Sequence, residues 1–214
     1  MDEHQMVWNE KVAKDIIENL EKRRMEGSYS PTAVQAKDEI VEMISRGATV
    51  FRCGSMTALG MDLWEEIVKL PGVEVINPYQ PGLSSEESLG LRRKGMTADV
   101  MIASSNAITL DGKLVNLDGM GNRVAAMTFG PKKVILVVGM NKVAPDLESA
   151  IARVKHYAAP INNIRYGLKN PCVETGLCSD CRSPQRICNM WSTIEGHMIE
   201  GRIHVKLVGE FLGY

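Results

Sequence analysis

The sequence predicts an α/β domain with an open, mostly parallel sheet flanked by helices, an inserted hairpin and a cysteine-rich loop. Residues Ala98 to Ala103 and Lys133 to Val138 are dense in valine and isoleucine without polar alternation, as expected of strands covered on both faces. Helical stripes alternate with such segments along the chain. With 214 residues, 44% of them hydrophobic, the chain can bury one good-sized core, so a single α/β layer arrangement is expected.

Residues 1–47 are predicted to form helices that pack on the domain of residues 48–214. A helical stripe lies near the start of the chain: Val12, Ile16, Ile17 and Leu20. A second helix is expected to have Ser30 as its N-cap and Pro31 at its first position. The first residues are acidic and amphipathic, unlike a signal peptide, which predicts a cytoplasmic protein.

Strand and helix signals then alternate. Ala48 to Arg52 predicts a short buried strand, and a helix with Leu59, Leu63 and Ile67 at four-residue spacing follows it. Val73 to Ile76 predicts the next strand. Ser84 and Glu87 fit a capping box for a helix that runs to about Met96. These strand-loop-helix units are the repeating element of an α/β fold.

The second half of the domain carries a hairpin signal. Asp111-Gly112 lies between apolar residues on both sides, which predicts an antiparallel hairpin and therefore a mixed sheet. Pro145 to Ala158 predicts an amphipathic helix. From Pro160 the hydrophobic period is lost for about thirty residues, and Ile203 to Val208 returns as an alternating or edge strand.

Charge and composition exclude several partner classes. The formal net charge is -1, from 25 basic and 26 acidic residues, so nucleic acid is not an expected partner. The apolar runs are far shorter than the roughly 20 residues of a spanning helix, so no membrane insertion is expected. Four of the five cysteines lie between residues 172 and 188, which indicates metal ligation or redox chemistry in a reducing cytosol rather than disulfides.

The cysteine-rich segment, residues 170–190, is the strongest local signal for chemistry. Its candidate ligands are Cys172, Cys178, Cys181 and Cys188. Four thiolates can complete tetrahedral ligation, and an iron–sulfur cluster and zinc both satisfy that donor set. The alternatives are four reduced, partly buried thiols without a ligand, or a redox-active Cys178/Cys181 pair. His197 and His204 could replace a cysteine, although an ordinary strand or surface histidine is the simpler interpretation.

A first candidate anion site follows the strand that ends at Arg52. Gly54, Ser55 and Thr57 lie where a strand passes into a helix, and unpaired backbone N–H groups with two hydroxyls there suit a phosphate or carboxylate. The alternative is a simple N-cap turn with Ser55 as the cap.

A second candidate site follows the strand that ends at Ala103. Its residues are Ser104, Ser105, Asn106, Thr109, Asn116, Asp118, Gly119, Gly121, Asn122 and Arg123. The glycines let the backbone approach a ligand, and Arg123 with a helix start offers positive charge. The alternative is an elaborate turn whose Asn and Asp side chains satisfy the loop backbone. Open α/β sheets bind ligands at the carboxyl ends of their strands, so we expect both runs to share one pocket.

No catalytic triad, zinc-protease helix, Walker loop or full dinucleotide fingerprint is present, so the catalytic residues stay unknown. The segments SSNAIT, DGMGNRVAAM and CSDCRSPQRIC, with the closing GEFLGY, nevertheless resemble the lactate utilisation (LUD) domain family, and among its members the lactate utilisation protein C type. The resemblance covers nearly the whole chain. It implies a fold of the ribose-5-phosphate isomerase and CoA-transferase type, in which FRCGSMTALG looks like the phosphate-binding turn.

The resemblance also implies a cytoplasmic component of a system that oxidises lactate to pyruvate together with iron–sulfur oxidoreductase subunits. The leading hypothesis is such a subunit, with a small anionic ligand in the pocket and a cysteine-bound centre for which an iron–sulfur cluster is favoured over zinc. A second hypothesis is a sugar-phosphate or CoA-type isomerase or transferase with structural zinc. A third is a non-catalytic interaction module. A homo-oligomer is compatible with each of them.

Overall fold

A computed structural model describes residues 2–214 of the chain. The helices in this range are α1 (Glu3–Lys22), α2 (Ala33–Glu42), α3 (Met56–Leu59), α4 (Leu63–Ile67), α5 (Ser85–Lys94), α6 (Asn122–Phe129), α7 (Leu147–Arg153), α8 (Ala159–Arg165) and α9 (Pro171–Thr175). The strands are β1 (Glu26–Ser30), β2 (Thr49–Arg52), β3 (Glu74–Ile76), β4 (Val100–Ala103), β5 (Ala107–Thr109), β6 (Leu114–Asp118), β7 (Lys133–Gly139), β8 (Val143–Ala144), β9 (Met190–Ile194) and β10 (Ile203–Val208).

The main sheet has six strands in the order β1-β10-β7-β4-β2-β3, and every neighbouring pair is parallel. An apolar cluster covers each of its faces. One cluster includes Ile16 and Leu20 of α1, and the other includes Ile40 of α2 and Leu63 of α4. An open parallel sheet buried on both faces explains the valine-rich strands, and the predicted α/β fold is confirmed.

The hairpin predicted at Asp111-Gly112 is present, because β5 and β6 pair antiparallel with Ala107 opposite Val115. It lies in a second, four-stranded sheet of order β8-β5-β6-β9. The prediction that it makes the main sheet mixed was therefore wrong. Strand β7 occupies the position beside β4, so the hairpin has no free edge there and pairs with β8 and β9 instead.

The structure differs from the sequence expectations at the sheet's first strand. Residues 26–30 form β1, which was not predicted, and Ser30 ends it instead of capping a helix. The N-cap of α2 is Thr32, whose hydroxyl accepts from the Gln35 N–H at 3.3 Å. Because β1 pairs with β10, the strand at Ile203–Val208 lies inside the sheet and is not an edge.

Two predicted helices have other limits. The helix expected through Leu59 and Ile67 is interrupted at Asp62, which has φ of 52°, and forms α3 and α4. The helix expected to end at Ala158 continues through a π-helical turn, Val154–Ala158, into α8. The capping box is confirmed, since Ser84 and Glu87 each accept a backbone N–H from the other.

Because the strands of the main sheet are parallel, their carboxyl ends lie at one edge. The loops that follow β2, β4 and β7 therefore meet there, together with the residues after β3 and β10. None of the helices within residues 2–214 is long and apolar enough to cross a bilayer.

Candidate functional site

A cavity of about 500 Å³ opens at the carboxyl-terminal edge of the main sheet. Residues within three positions of the ends of four parallel strands line it: Ser55 after β2, Tyr79 after β3, Ser104 after β4 and Lys142 after β7. Ligand pockets in proteins commonly measure roughly 300–1,000 Å³. The cavity therefore has the size and the position expected of a ligand site in an open α/β fold.

Ten of the thirteen predicted ligand-binding residues line this cavity: Gly54, Ser55, Thr57, Ser104, Ser105, Asn106, Asp118, Gly119, Asn122 and Arg123. The other three do not line it. Thr109 lies at the hairpin turn, Asn116 is fully buried behind the loop, and Gly121 precedes α6 with φ of 85°. The two candidate runs thus share one pocket wall, as their positions after neighbouring strands require.

The turn after β2 is built around Gly54 and Ser55. The Ser55 hydroxyl accepts from the Ala58 N–H at 3.1 Å, so it caps α3. The Gly54 N–H donates to the Tyr79 hydroxyl at 2.8 Å, and a Cβ at this glycine would lie 2.7 Å from that oxygen. Glycine at position 54 is therefore needed for the close approach of Tyr79, whose phenol forms one side of the cavity.

Arg123 is held entirely by protein acceptors. Its Nε donates to Asp118 at 3.0 Å, its Nη1 to the Asn116 Oδ1 and the Ser104 carbonyl, and its Nη2 to the Asn106 Oδ1 and the Leu117 carbonyl. These bonds use all five N–H groups of a guanidinium. In this conformation, Arg123 ties the loop after β4 to α6 and has no N–H group left for a ligand.

The N-terminus of α6 is also occupied by a protein group. Asp118 Oδ2 accepts from the backbone N–H groups of Arg123 at 3.1 Å and Val124 at 3.2 Å. A carboxylate at a helix N-terminus accepts hydrogen bonds from the free backbone N–H groups of the helix and interacts favourably with the helix dipole. Asp118 therefore acts as the cap of α6 from within the cavity wall.

Lys142 was missed by the sequence reasoning. Its side chain is 2% exposed, and its Nζ donates to Thr57 Oγ1 at 2.8 Å and to Ser104 Oγ at 2.9 Å. No carboxylate among residues 2–214 lies within ion-pair distance of it. Burial, with the nearby positive charges of Arg153 and Arg123, lowers the pKa of Lys142 to about 7. The available signal was a lysine only three residues after Gly139, which ends the strand that carries the apolar run Val134 to Val138.

Two further cations lie on the cavity wall. Arg92 donates to the Tyr79 hydroxyl at 3.1 Å and stands over the Tyr79 ring, 4.8 Å from its centre. Arg165 stands over the Tyr166 ring at 4.0 Å and donates to the side chain of Asn162. Both guanidiniums are partly exposed, so the cavity combines a buried amine with cations nearer the solvent.

The four predicted metal ligands line a second, smaller cavity of about 20 Å³: Cys172, Cys178, Cys181 and Cys188. Arg186 organises this segment by donating to the backbone carbonyls of Cys181 and Cys188 and to the Asp180 carboxylate. Burial raises the pKa of the Cys172 and Cys188 thiols. Within residues 2–214, however, no three or more His, Cys, Asp or Glu side chains form a group that could hold a metal ion.

The cysteine cavity and the larger cavity share a wall. Cys188, Ile187 and Ala159 line both of them. A Cβ at Gly119 would lie 3.2 Å from the Cα of Ile187, so glycine lets the cysteine-rich segment pack closely against the loop before α6. The two histidines considered as replacement ligands have other partners. His204 pairs with Ser28 and Glu26, and His197 contacts Arg202.

Comparison with known proteins assigns the fold and the family. A DUF162 family protein from Deinococcus radiodurans is similar in structure, with 14% identity, coverage of 94% of this chain and 98% of that chain, and a TM-score of 0.52. Ribose 5-phosphate isomerase from Plasmodium falciparum aligns over 53% of this chain and 52% of its own, with 18% identity and a TM-score of 0.34. No curated protein matches. Since the LUD domain model matches residues 13–208 of the 214, the chain belongs to the LUD domain family.

Proposed function

We propose that the chain is a component of a redox system that oxidises lactate to pyruvate, and that its larger cavity binds a small anionic ligand, either a carboxylate or a phosphate ester. Membership of the LUD domain family supports the link to lactate utilisation. The cavity supports the ligand, because its wall carries Lys142, Arg92 and Arg165 together with hydroxyl groups.

The main observation in support of an anionic ligand is the buried amine of Lys142. An ammonium without an anionic partner is costly to bury, and an anion brought beside it offsets that cost. The protonated group has three donors, and Thr57 and Ser104 take two of them. A ligand carboxylate or phosphate oxygen in the cavity would take the third. Arg123 would act in binding only through the loop that it holds.

Thermal-shift measurements with lactate, inorganic phosphate, ribose 5-phosphate and CoA test this proposal. We expect at least one anion to raise the Tm of the wild-type protein, and the shift to fall as the pH rises through about 7, because Lys142 then loses its proton. The variant Lys142→Met should lose most of the shift. The variant Lys14→Met, on the exposed face of α1, should keep it. If no anion stabilises the wild-type protein at millimolar concentration, the pocket proposal fails.

The second part of the proposal concerns the cysteine-rich segment. We propose that Cys172, Cys178, Cys181 and Cys188 bind a metal centre, with an iron–sulfur cluster favoured over zinc, that serves contact with iron–sulfur oxidoreductase subunits. The four cysteines line one cavity, which supports this proposal, because four thiolates can ligate either an iron–sulfur cluster or zinc. Lys155 and Arg186 beside them can balance thiolate charge. Metal binding would have to bring the four cysteine sulfurs closer together than they are in this structure. Free thiols fit the reducing cytoplasm to which we assign the protein.

Anaerobic purification, visible absorption spectroscopy and elemental analysis test the metal centre. An iron–sulfur cluster would give a coloured protein with iron and sulfide, whereas structural zinc would give a colourless one. The variant Cys181→Ser should lose the metal. The matched control is Cys53→Ala, because Cys53 is the remaining cysteine and lies in the apolar core away from the segment. A protein that contains neither iron nor zinc would refute this part of the proposal.

A further inference from the structure

The amine of Lys142 lies in a setting that suits covalent chemistry as well as charge. The side chain is 2% exposed, yet its Nζ reaches the wall of the cavity between Thr57 and Ser104. A lysine that served only to attract anions would be better placed at a solvated rim, where Arg92 and Arg165 already stand. The burial of this one amine therefore calls for a use that needs its uncharged form.

The hydrogen bonds around Lys142 leave the lone pair of the neutral amine unshared. The Ser104 hydroxyl donates to the Ser105 carbonyl at 3.1 Å, and the Thr57 hydroxyl can donate to the Leu212 carbonyl at 3.4 Å. Both hydroxyl oxygens thus face Nζ as acceptors. A neutral amine has two hydrogens, which these two oxygens accept, and its lone pair is then free to attack a ligand.

The surroundings also favour the neutral form. Desolvation has the largest effect, and the positive charges of Arg153 and Arg123 add to it, so the pKa of Lys142 falls to about 7. At neutral pH the protonated and neutral forms are then present in comparable amounts. Exposed lysines, with pKa values of about 10.4, hold almost no neutral amine at that pH. Desolvation beside other cations is a known means of activating a lysine nucleophile.

We propose that Lys142 forms an imine with the carbonyl carbon of a 2-oxo acid bound in the larger cavity. The Nζ lone pair attacks that carbon, and the carbonyl electron pair moves to oxygen, which takes a proton from the nitrogen to give a carbinolamine. Loss of the hydroxyl group and the remaining N–H proton as water leaves the C=N bond. The exchange is redox-neutral and releases one water. The ligand carboxylate would pair with Arg92 or Arg165. This inference rests on the proposed anionic ligand and names its class.

Reductive trapping tests the proposal on the full chain. We expect incubation with pyruvate and cyanoborohydride at pH 7 to add one ligand to each protein molecule, less the water lost in imine formation and plus the two hydrogens of reduction, which is a net addition of the ligand less one oxygen atom. Peptide mass mapping should place the adduct on Lys142 before any exposed lysine is labelled. The variant Lys142→Met should lose this adduct, and Lys14→Met should form it at the wild-type rate.

The outcomes separate this inference from the proposed function. If pyruvate or lactate raises the Tm but Lys142 is not labelled, the pocket binds anions and the imine is refuted. If label spreads over exposed lysines at the same rate in the wild-type protein and in Lys142→Met, the imine is also refuted. If no anion raises the Tm and no adduct forms on Lys142, both proposals fail. The variant Lys142→Arg keeps a cation but cannot form the imine, so it should retain the thermal shift and lose the adduct.

Discussion

At the scale of single residues, the fold buries the Lys142 amine although this lowers the free energy of unfolding. Its pKa falls from the ordinary value of 10.5 to about 7 because it is buried without a carboxylate partner. Each pKa unit corresponds to about 1.4 kcal/mol, so the cost is on the order of 5 kcal/mol when the folded protein holds the proton. Such a cost at a cavity wall is typical of a functional group.

The pH dependence of stability tests this cost. Between pH 7 and 10.5 the unfolded chain keeps the lysine proton that the folded chain has lost, so this group makes the free energy of unfolding rise with pH in that window. Below pH 7 the cost is complete and constant. We expect Lys142→Met to be more stable than the wild type at pH 6. The difference in free energy of unfolding between the two proteins should be smaller at pH 9 by about 2 kcal/mol or more.

Urea denaturation of both proteins at the two pH values measures this difference. The exposed Lys14→Met variant serves as the control. Its difference from the wild type in free energy of unfolding should be the same at pH 6 and pH 9. A difference between Lys142→Met and the wild type that stays the same at pH 6 and pH 9 would mean that Lys142 has an ordinary pKa. The basis of the imine proposal would then be lost.

Arg123 shows why some residue roles could not be predicted. The sequence places an arginine after two glycines at a helix start, and that pattern indicates an anion site. The acceptors that use its donors come from Ser104, Asn106 and Asn116, which precede it in the chain, and only the folded loop brings them to one guanidinium. An arginine in a loop beside a pocket can thus hold that loop in place through protein acceptors instead of binding the ligand itself.

At the scale of elements, two signals that depend only on neighbouring residues were confirmed. The hairpin follows from Asp111-Gly112, where Gly112 has φ of 84°, and the capping box follows from Ser84 and Glu87. The turn types and the cap need no distant partner. Their physical causes lie within a few residues, so they can be read from the chain itself.

Elements that depend on distant partners were missed. Strand β1 has the sequence EGSYS, which has little apolar character and no strong strand signal. It forms because Glu26 and Ser30 align with His204 and Val208 of β10, far along the chain. The same pairing places β10 inside the sheet. Both errors thus have one cause, a parallel pairing that local sequence does not encode.

At the scale of the whole molecule, the first 47 residues contribute to the same sheet and core as the rest. Lys206 of β10 is 1% exposed and pairs with Glu39, and it donates to Ser28 at 3.1 Å. The Asn9 side chain donates to the Gly209 carbonyl at 2.8 Å. The sequence-based division at residue 47 therefore separates groups that are bonded to each other, although it stays a prediction until the parts are tested.

We expect the fragment 48–214 not to fold on its own. It lacks β1, so one edge of β10 is unpaired and the Lys206 ammonium has neither of its partners. It also lacks Ile16, Leu20 and Met25, which are buried in the core cluster on one face of the sheet. Each such side chain contributes about 1.5–3 kcal/mol, and the sum approaches the roughly 5–15 kcal/mol by which domains are stable.

Circular dichroism and urea denaturation of the purified fragment measure this outcome. A matched control is the deletion of residues 1–4, because residues 2–4 are exposed, and this variant should keep a single cooperative transition close to that of the full chain. The fragment should show no cooperative transition. A transition of fragment 48–214 with the midpoint of the full chain would instead make residues 1–47 an appendage, and the cavity at the carboxyl ends of β2, β4 and β7 would then not depend on the edge strand.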